Sequence, residues 1–208
     1  MARLSTELNR YFFEEVSTPQ VTLKEILTLA GERTFGFLFV VLALPSALPI
    51  PAPGYSTPFG IVMFLLAVQL IAGRTRPWMP EGWNHKQFDL GSVRKIVKAG
   101  SPWLRRLEAV SRPRLTAVCT SLPGRTVLGL AIALMSISMM IPIPGTNTLP
   151  AMGIFVTGFG LLDDDGLISL GGLVLCVMGG ILTTLILTFG YEAVKTGIEF
   201  LGNGVFQR

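Results

Sequence analysis

The side chains that could do chemistry are few, and they fall at two kinds of place. Ser56, Thr57, Thr146, Asn147 and Thr148 lie in two proline-rich breaks inside otherwise apolar stretches. Asp163, Asp164 and Asp165 follow the second of those stretches. The breaks run Leu48-Pro49-Ile50-Pro51-Ala52-Pro53-Gly54-Tyr55-Ser56-Thr57-Pro58 and Pro142-Ile143-Pro144-Gly145-Thr146-Asn147-Thr148-Leu149-Pro150. Proline has no backbone N–H and disfavours helix at the residue before it, so both stretches are read as non-helical. Free carbonyls and helix ends beside such a break can meet an ion or a polar headgroup within a membrane. The candidate binding residues are therefore Pro49, Pro51, Gly54, Ser56 and Thr57 with Pro142, Pro144, Gly145, Asn147 and Thr148. Ordinary interfacial turns would use the same residue types. An acidic trio at a membrane edge can guide cations or protons, but an Asp ahead of Gly166 also caps the helix that follows, which is the favoured reading. Arg33 and Arg125 flank the two apolar blocks and could bind lipid phosphate, though a topology anchor is the simpler role. Ser46, Gln69, Ser136, Ser138 and Thr157, inside the apolar arms, are expected to bond to neighbouring helices.

Other chemistries find no residues. His85 is the single histidine, and Cys119 and Cys176 sit far apart without metal-ligand spacing. Neither a metal site nor a disulfide is expected, and no cofactor. There is no Ser-His-Asp set and no glycine loop leading to a phosphate-binding Lys, so no enzyme is expected. The sequence pI near 9.4 comes from basic residues flanking apolar segments. That pattern suits anionic lipid better than nucleic acid.

The elements that must position these residues follow from hydropathy. The 208 residues are 50% hydrophobic and 14% charged, with mean hydropathy +0.58. Charge is absent from Phe35 to Ala72, from Thr126 to Leu162 and from Gly166 to Tyr191, which is the mark of an integral membrane protein. The arms Phe35–Ile50, Phe59–Ala72, Leu128–Ile141 and Ala151–Leu162 hold about 12 to 16 residues each, fewer than the roughly 20 needed to cross a bilayer. Each pair of arms is read as a helical hairpin that is re-entrant, its break held at membrane depth. Gly36 and Gly129, like Pro49 and Pro142, stand 93 positions apart, as do Gly60 and Gly153, and Gly73 and Gly166. With a two-residue shift in the loop, Pro53-Gly54 falls on Pro144-Gly145. The second block thus reads as an internal repeat of the first. Leu167–Gly190 is the one strong spanning segment.

The fold class expected is all-α. A single membrane domain covers 1–208: amphipathic N-terminal helices 1–33, hairpin repeat 34–73, basic linker 74–123, second hairpin repeat 124–166, spanning helix 167–190 and tail 191–208. Thr22-Leu23-Lys24-Glu25 has capping-box spacing, and 101–110 forms an amphipathic stripe suited to a membrane surface. Between Arg74 and Arg125 there are 11 Lys and Arg against 3 acidic residues, so this linker is placed in the cytoplasm. Hairpins that return to their side of origin put the N-terminus there too. No signal peptide is read at the start.

Gly31-Glu32-Arg33, the run Ala43-Leu44-Pro45-Ser46-Ala47-Leu48-Pro49-Ile50-Pro51-Ala52-Pro53-Gly54-Tyr55-Ser56-Thr57 and the exit Leu70-Ile71-Ala72-Gly73-Arg74-Thr75-Arg76-Pro77-Trp78 resemble the ExoD family. The likeness continues through Ile141-Pro142-Ile143-Pro144-Gly145 and Asp165-Gly166, and covers about residues 20 to 190. It implies a bacterial inner-membrane protein with a link to exopolysaccharide synthesis, and no particular reaction. The function expected is transport-like, with a polar site at the two broken loops; the partners expected are membrane lipids and a second copy of the chain in a homodimer. The alternative is a non-transporting accessory or scaffold protein that docks on the polysaccharide-synthesis machinery through the basic linker.

Overall fold

A computed structural model describes residues 33–47, 56–78, 111–141 and 147–190 continuously, with 10–15, 20–22, 87–91 and the single positions 6, 94, 98, 105, 109 and 196. Six α-helices carry the described fold: α1 (Thr34–Ala47), α2 (Ser56–Ile71), α3 (Ala117–Thr120), α4 (Leu122–Met140), α5 (Thr148–Leu162) and α6 (Gly166–Phe189). A five-residue π-helix spans Tyr11–Glu15. The expected helical class holds, with one departure. Gln20–Thr22 (β1) and Gln87–Asp89 (β2) pair antiparallel, Gln20 opposite Asp89. Thr22 closes β1, and the rest of its capping box lies outside the described residues. So does the amphipathic stripe at 101–110, apart from Arg105 and Ala109.

Two helices, α4 with 19 residues and α6 with 24, are long and apolar enough to cross a membrane; α1, α2 and α5 are shorter apolar helices. Beside the one strong spanning segment read from the sequence, α4 also qualifies by length and composition. Helix α4 begins six residues before the apolar run because Ser121 caps it, its hydroxyl accepting from Gly124 N at 3.2 Å, with proline in the first turn. One half-buried charge, Arg125, does not stop such a start. Two further corrections have the same cause. Ser56, Thr57 and Pro58 belong to the first turn of α2, and Thr148 to Pro150 to that of α5. Proline is tolerated there because those N–H groups have no helical partner anyway.

The arms do not pack chiefly on one another. Helix α1 packs on α5 and α2 packs on α4, with far less contact between α1 and α2. Both close pairs depend on a missing side chain. A Cβ on Gly36 would lie 2.5 Å from Leu162 N and 2.7 Å from Gly158 O; one on Gly129 would lie 2.8 Å from Ile71 Cγ1 and 3.3 Å from Ala67 O. The start of α1 therefore meets the end of α5, and the start of α4 meets the end of α2. Both pairs run antiparallel. Gly158 and Ala67 are 91 positions apart, as are Leu162 and Ile71, and Gly73 and Asp164 at the same spacing both take positive φ, +73° and +53°. The spacing of 93 does not carry into the second arms, since Gly60 faces Ser136, Met139 and Met140 on α4 whereas Gly153 faces Cys176 on α6.

Helix α5 lies between α1 and α6. Going backwards along α5 and forwards along α6, Gly160 meets Ser169, Thr157 meets Gly172, Gly153 meets Cys176 and Pro150 meets Gly179. At each step one helix offers a glycine or a small residue, so the backbones approach closely. The apolar interior is built from Phe39, Met63, Leu70, Leu128, Ile132, Met139 and Ile154, all at most 1% exposed. The outer faces of α2, α4 and α6 carry Leu65, Leu130, Leu134, Val174, Val177 and Ile181, each more than half exposed.

Candidate functional site

One end of the bundle gathers the four helix ends that flank the breaks. Phe39 of α1 lies against Gly158, within 2.6 Å of where its Cβ would be. Seven residues on from Phe39 is Ser46, and eleven back from Gly158 is Asn147. At about 100° per residue, each falls within about 20° of the facing line of its own helix. The antiparallel run therefore brings Ser46 and Asn147 onto facing seams, within about one helical turn of each other in height. On the other pair, Ser56 begins α2 beside the end of α4.

The polar atoms at this end are short of partners. Ser46 is 6% exposed. Its Oγ, like Asn147 Oδ1 and Ser111 Oγ, is buried without a hydrogen-bond partner among the described residues. Asn147 is the N-cap of α5 yet makes no side-chain cap. Other buried hydroxyls behave differently. Ser136 Oγ donates to Ile132 O at 2.7 Å, Ser138 and Thr183 share a bond of 2.7 Å, and Ser169 Oγ donates to Thr157 O at 3.4 Å. The expectation that polar residues in the arms bond to neighbouring helices holds for Ser138 and for Thr157, whose Oγ1 lies 3.9 Å from Cys176 Sγ of α6; Ser136 bonds within its own helix, Gln69 accepts from Trp78 N, and Ser46 has no partner among the described residues. Leaving a buried hydroxyl unbonded costs about 1–3 kcal/mol, so it calls for a reason. Of the other sequence candidates, Thr57 and Thr148 sit in first helical turns, half-buried. Pro49, Pro51, Gly54, Pro142, Pro144, Gly145 and Thr146 lie outside the described residues, as does the side chain of Ser56.

The acidic trio is at the opposite end and does three different things. Asp165 is 1% exposed; its Oδ1 accepts from Leu167 N at 3.1 Å and Ile168 N at 3.3 Å, and its Oδ2 from Arg112 N at 2.9 Å. It caps α6 and ties down the linker. Asp164 occupies the left-handed turn, and Asp163 pairs with Arg33 at 3.9 Å. Arg125 donates to Arg74 O, so each arginine fastens the start of one helix to the chain leaving its partner. Cys119, buried in α3, contacts Ser169 Oγ at 3.3 Å. Its thiol is pushed up, first by burial and further by Asp164 and Asp165, with the Ser169 bond pulling the other way. No group of three His, Cys, Asp or Glu suited to a metal occurs among the described residues. Gly166 N donates to Arg114 O at 2.7 Å, and Arg94 Nε donates to Phe12 O at 2.7 Å. Together with the β1–β2 ribbon, these bonds fasten the linker to both the N-terminal segment and the start of α6.

Comparison with known proteins gives a consistent result. The family described as Exopolysaccharide synthesis, ExoD, matches residues 4–185, starting earlier than the motifs suggest. An uncharacterised protein of Synechocystis sp. (strain ATCC 27184 / PCC 6803 / Kazusa) is 52% identical over 201 residues, covering 97% of this chain and 95% of the relative. Protein ExoD of Rhizobium meliloti (strain 1021) is 29% identical over 180 residues, covering 85% of this chain and 73% of the relative. No solved structure matches.

Proposed function

The chain belongs to the exopolysaccharide synthesis ExoD family, and on that premise we propose that it is an inner-membrane protein whose broken helices hold a polar site for a substrate of transport-like function. The observation that carries this reading is that Ser46 Oγ and Asn147 Oδ1, on the facing seams of α1 and α5, are buried without a hydrogen-bond partner among the described residues. Depth supports it. The helix ends that flank the break, Ser138 of α4 and Pro150 of α5, lie level with Thr183 and Gly179 of α6. Helix α6 runs on to Phe189, six residues or about 9 Å beyond Thr183. If α6 spans a core of about 30 Å, those helix ends lie inside the far interface, which favours re-entrant arms for α4 with α5.

Topology supports the same arrangement. A ribbon cannot pair across a bilayer, so the N-terminal segment and the linker share a side, and α1 with α2 return to it. The Arg114–Gly166 bond does the same for α4 with α5. The basic linker makes that side cytoplasmic. The matched contacts of Gly36 and Gly129, with partners 91 positions apart, support an internal duplication with a pseudo-twofold relation, in which each half lends an arm to the other. Together these points favour a protein that moves or presents a polar group part-way across the membrane.

The accessory reading has one observation of its own. Arg76, Arg105, Arg112 and Arg114 are exposed on the linker side, an available docking face for a partner. Translocation of a headgroup-labelled lipid in proteoliposomes separates the two. The transport-like reading expects Asn147→Leu to slow translocation at least tenfold while removal of linker charges leaves it unchanged. A wild-type rate in correctly folded Asn147→Leu protein would refute it.

A further inference from the structure

Resting on the broken-helix reading above, we infer that the site at the end of the α1/α5 seam recognises a neutral, hydroxyl-bearing headgroup of the saccharide class, and that the α2/α4 seam lacks the counterpart of Ser46. Three groups define what the site accepts. Ser46 Oγ, which can donate or accept, is nine-tenths buried and has no partner among the described residues. Asn147 Oδ1, which only accepts, is buried and likewise has no partner among the described residues. The third is the N-terminus of the 15-residue helix α5, whose N-cap leaves the first turn uncapped by its own side chain.

These features sort the possible ligands by charge. A cation is disfavoured by the positive end of the α5 dipole, and no cluster of His, Cys, Asp or Glu exists among the described residues to outweigh it. A fully ionised phosphate offers acceptors alone and leaves Asn147 Oδ1 without a donor. A sugar hydroxyl donates and accepts at once. It can give its proton to Asn147 Oδ1 while taking the Ser46 O–H or an N–H of the first turn of α5. The asymmetry follows from the repeat. The residue 93 positions after Ser46 is Met139, fully buried in α4, so the matching seam offers a thioether where this one offers a hydroxyl.

The test uses the full chain, purified in detergent and examined by native mass spectrometry. Three probes are added separately: glucosyl-diacylglycerol, phosphatidic acid with the same acyl chains, and free maltose. Wild-type protein is expected to retain the glucosyl lipid at least tenfold more than phosphatidic acid. Retention of maltose as well would mean that the sugar alone suffices, whereas retention of the lipid only would mean that the site opens to the bilayer. Ser46→Ala and Asn147→Leu should each lose the adduct, and Ser111→Ala, which removes the other unpartnered hydroxyl away from the site, should keep it. Ser46→Ala should melt no lower than wild type, because an unsatisfied hydroxyl is being removed. Equal or preferred retention of phosphatidic acid would overturn the inference. So would retention of the glucosyl lipid by Ser46→Ala, or a lowered melting temperature in that variant. Should no probe be retained while Asn147 is found within the bilayer, this inference fails and the broken-helix reading stands. If Asn147 is found in bulk water, both fail.

Discussion

Replacing Gly36 by Ala tests the cross-packing that brings Ser46 to Asn147. The new Cβ would meet Leu162 N at 2.5 Å and Gly158 O at 2.7 Å. Ordinary contact begins near 3.4 Å, so α1 and α5 must separate by nearly 1 Å. Both obstacles are backbone and cannot rotate away. Overpacking of this kind costs about 1–3 kcal/mol, and rigid neighbours place it in the upper half. Helix propensity works the other way, since Ala is better than Gly by about 1 kcal/mol in a helix interior. Gly171→Ala supplies the control, because nothing lies within 4 Å of its Cβ position. Gly36, in the first turn of α1, gains less of that term than Gly171 inside α6, so their difference is at least the steric cost of about 2–3 kcal/mol, or roughly 30- to 150-fold in the unfolding equilibrium. Reversible unfolding in mixed micelles, followed by circular dichroism, reads that difference. Gly36→Ala as stable as Gly171→Ala would show that α1 and α5 do not meet at this glycine.

Other expectations follow from the opposite end. Asp165→Ala removes the cap of α6 and the acceptor for Arg112, and should destabilise by about 2 kcal/mol or more, read as a clear fall in melting temperature. Asp164→Gly should be neutral or stabilising by up to about 1 kcal/mol, because φ of +53° favours glycine. Arg33→Ala should cost less than about 1 kcal/mol, since its ion pair with Asp163 is long and partly exposed. Cys119 should resist maleimide at pH 7–8 in the folded protein and react on unfolding, because burial raises its pKa and keeps the thiolate scarce. Rapid labelling of native protein at that pH would contradict the burial.

What could be read from the sequence was whatever local chemistry decides. The charge-free run at Leu167–Gly190 located α6 to within a residue, and Asp165 was legible as its cap because Asp ahead of a long apolar helix has few other uses. The prolines located both breaks, but Pro58 and Pro150 were placed one turn too far outside their helices. A proline in a first turn looks the same in sequence as one in a loop. The start of α4 was hidden by Arg125, a charge that a helix end at an interface tolerates. Pairing of α1 with α5 and α2 with α4 was not legible. It depends on Gly36 meeting Gly158 across more than a hundred residues, and composition reports glycine without saying what it approaches. Ser46 shows the same limit within the site. A serine in an apolar arm usually bonds to its own helix or a neighbour, and only three-dimensional placement reveals that this one does not.

Depth is the property on which the account turns. Single cysteines placed at Thr57, Asn147 and Phe189, in protein reconstituted into liposomes, can be titrated with a membrane-impermeant maleimide from either side. The native Cys119 and Cys176 are buried and give a low background. Cysteine at Thr57 or Asn147 is expected to react at least tenfold more slowly than at Phe189 and to be quenched by lipid-borne spin labels. Reaction at all three positions at the same rate would put the breaks in open water and contradict the account.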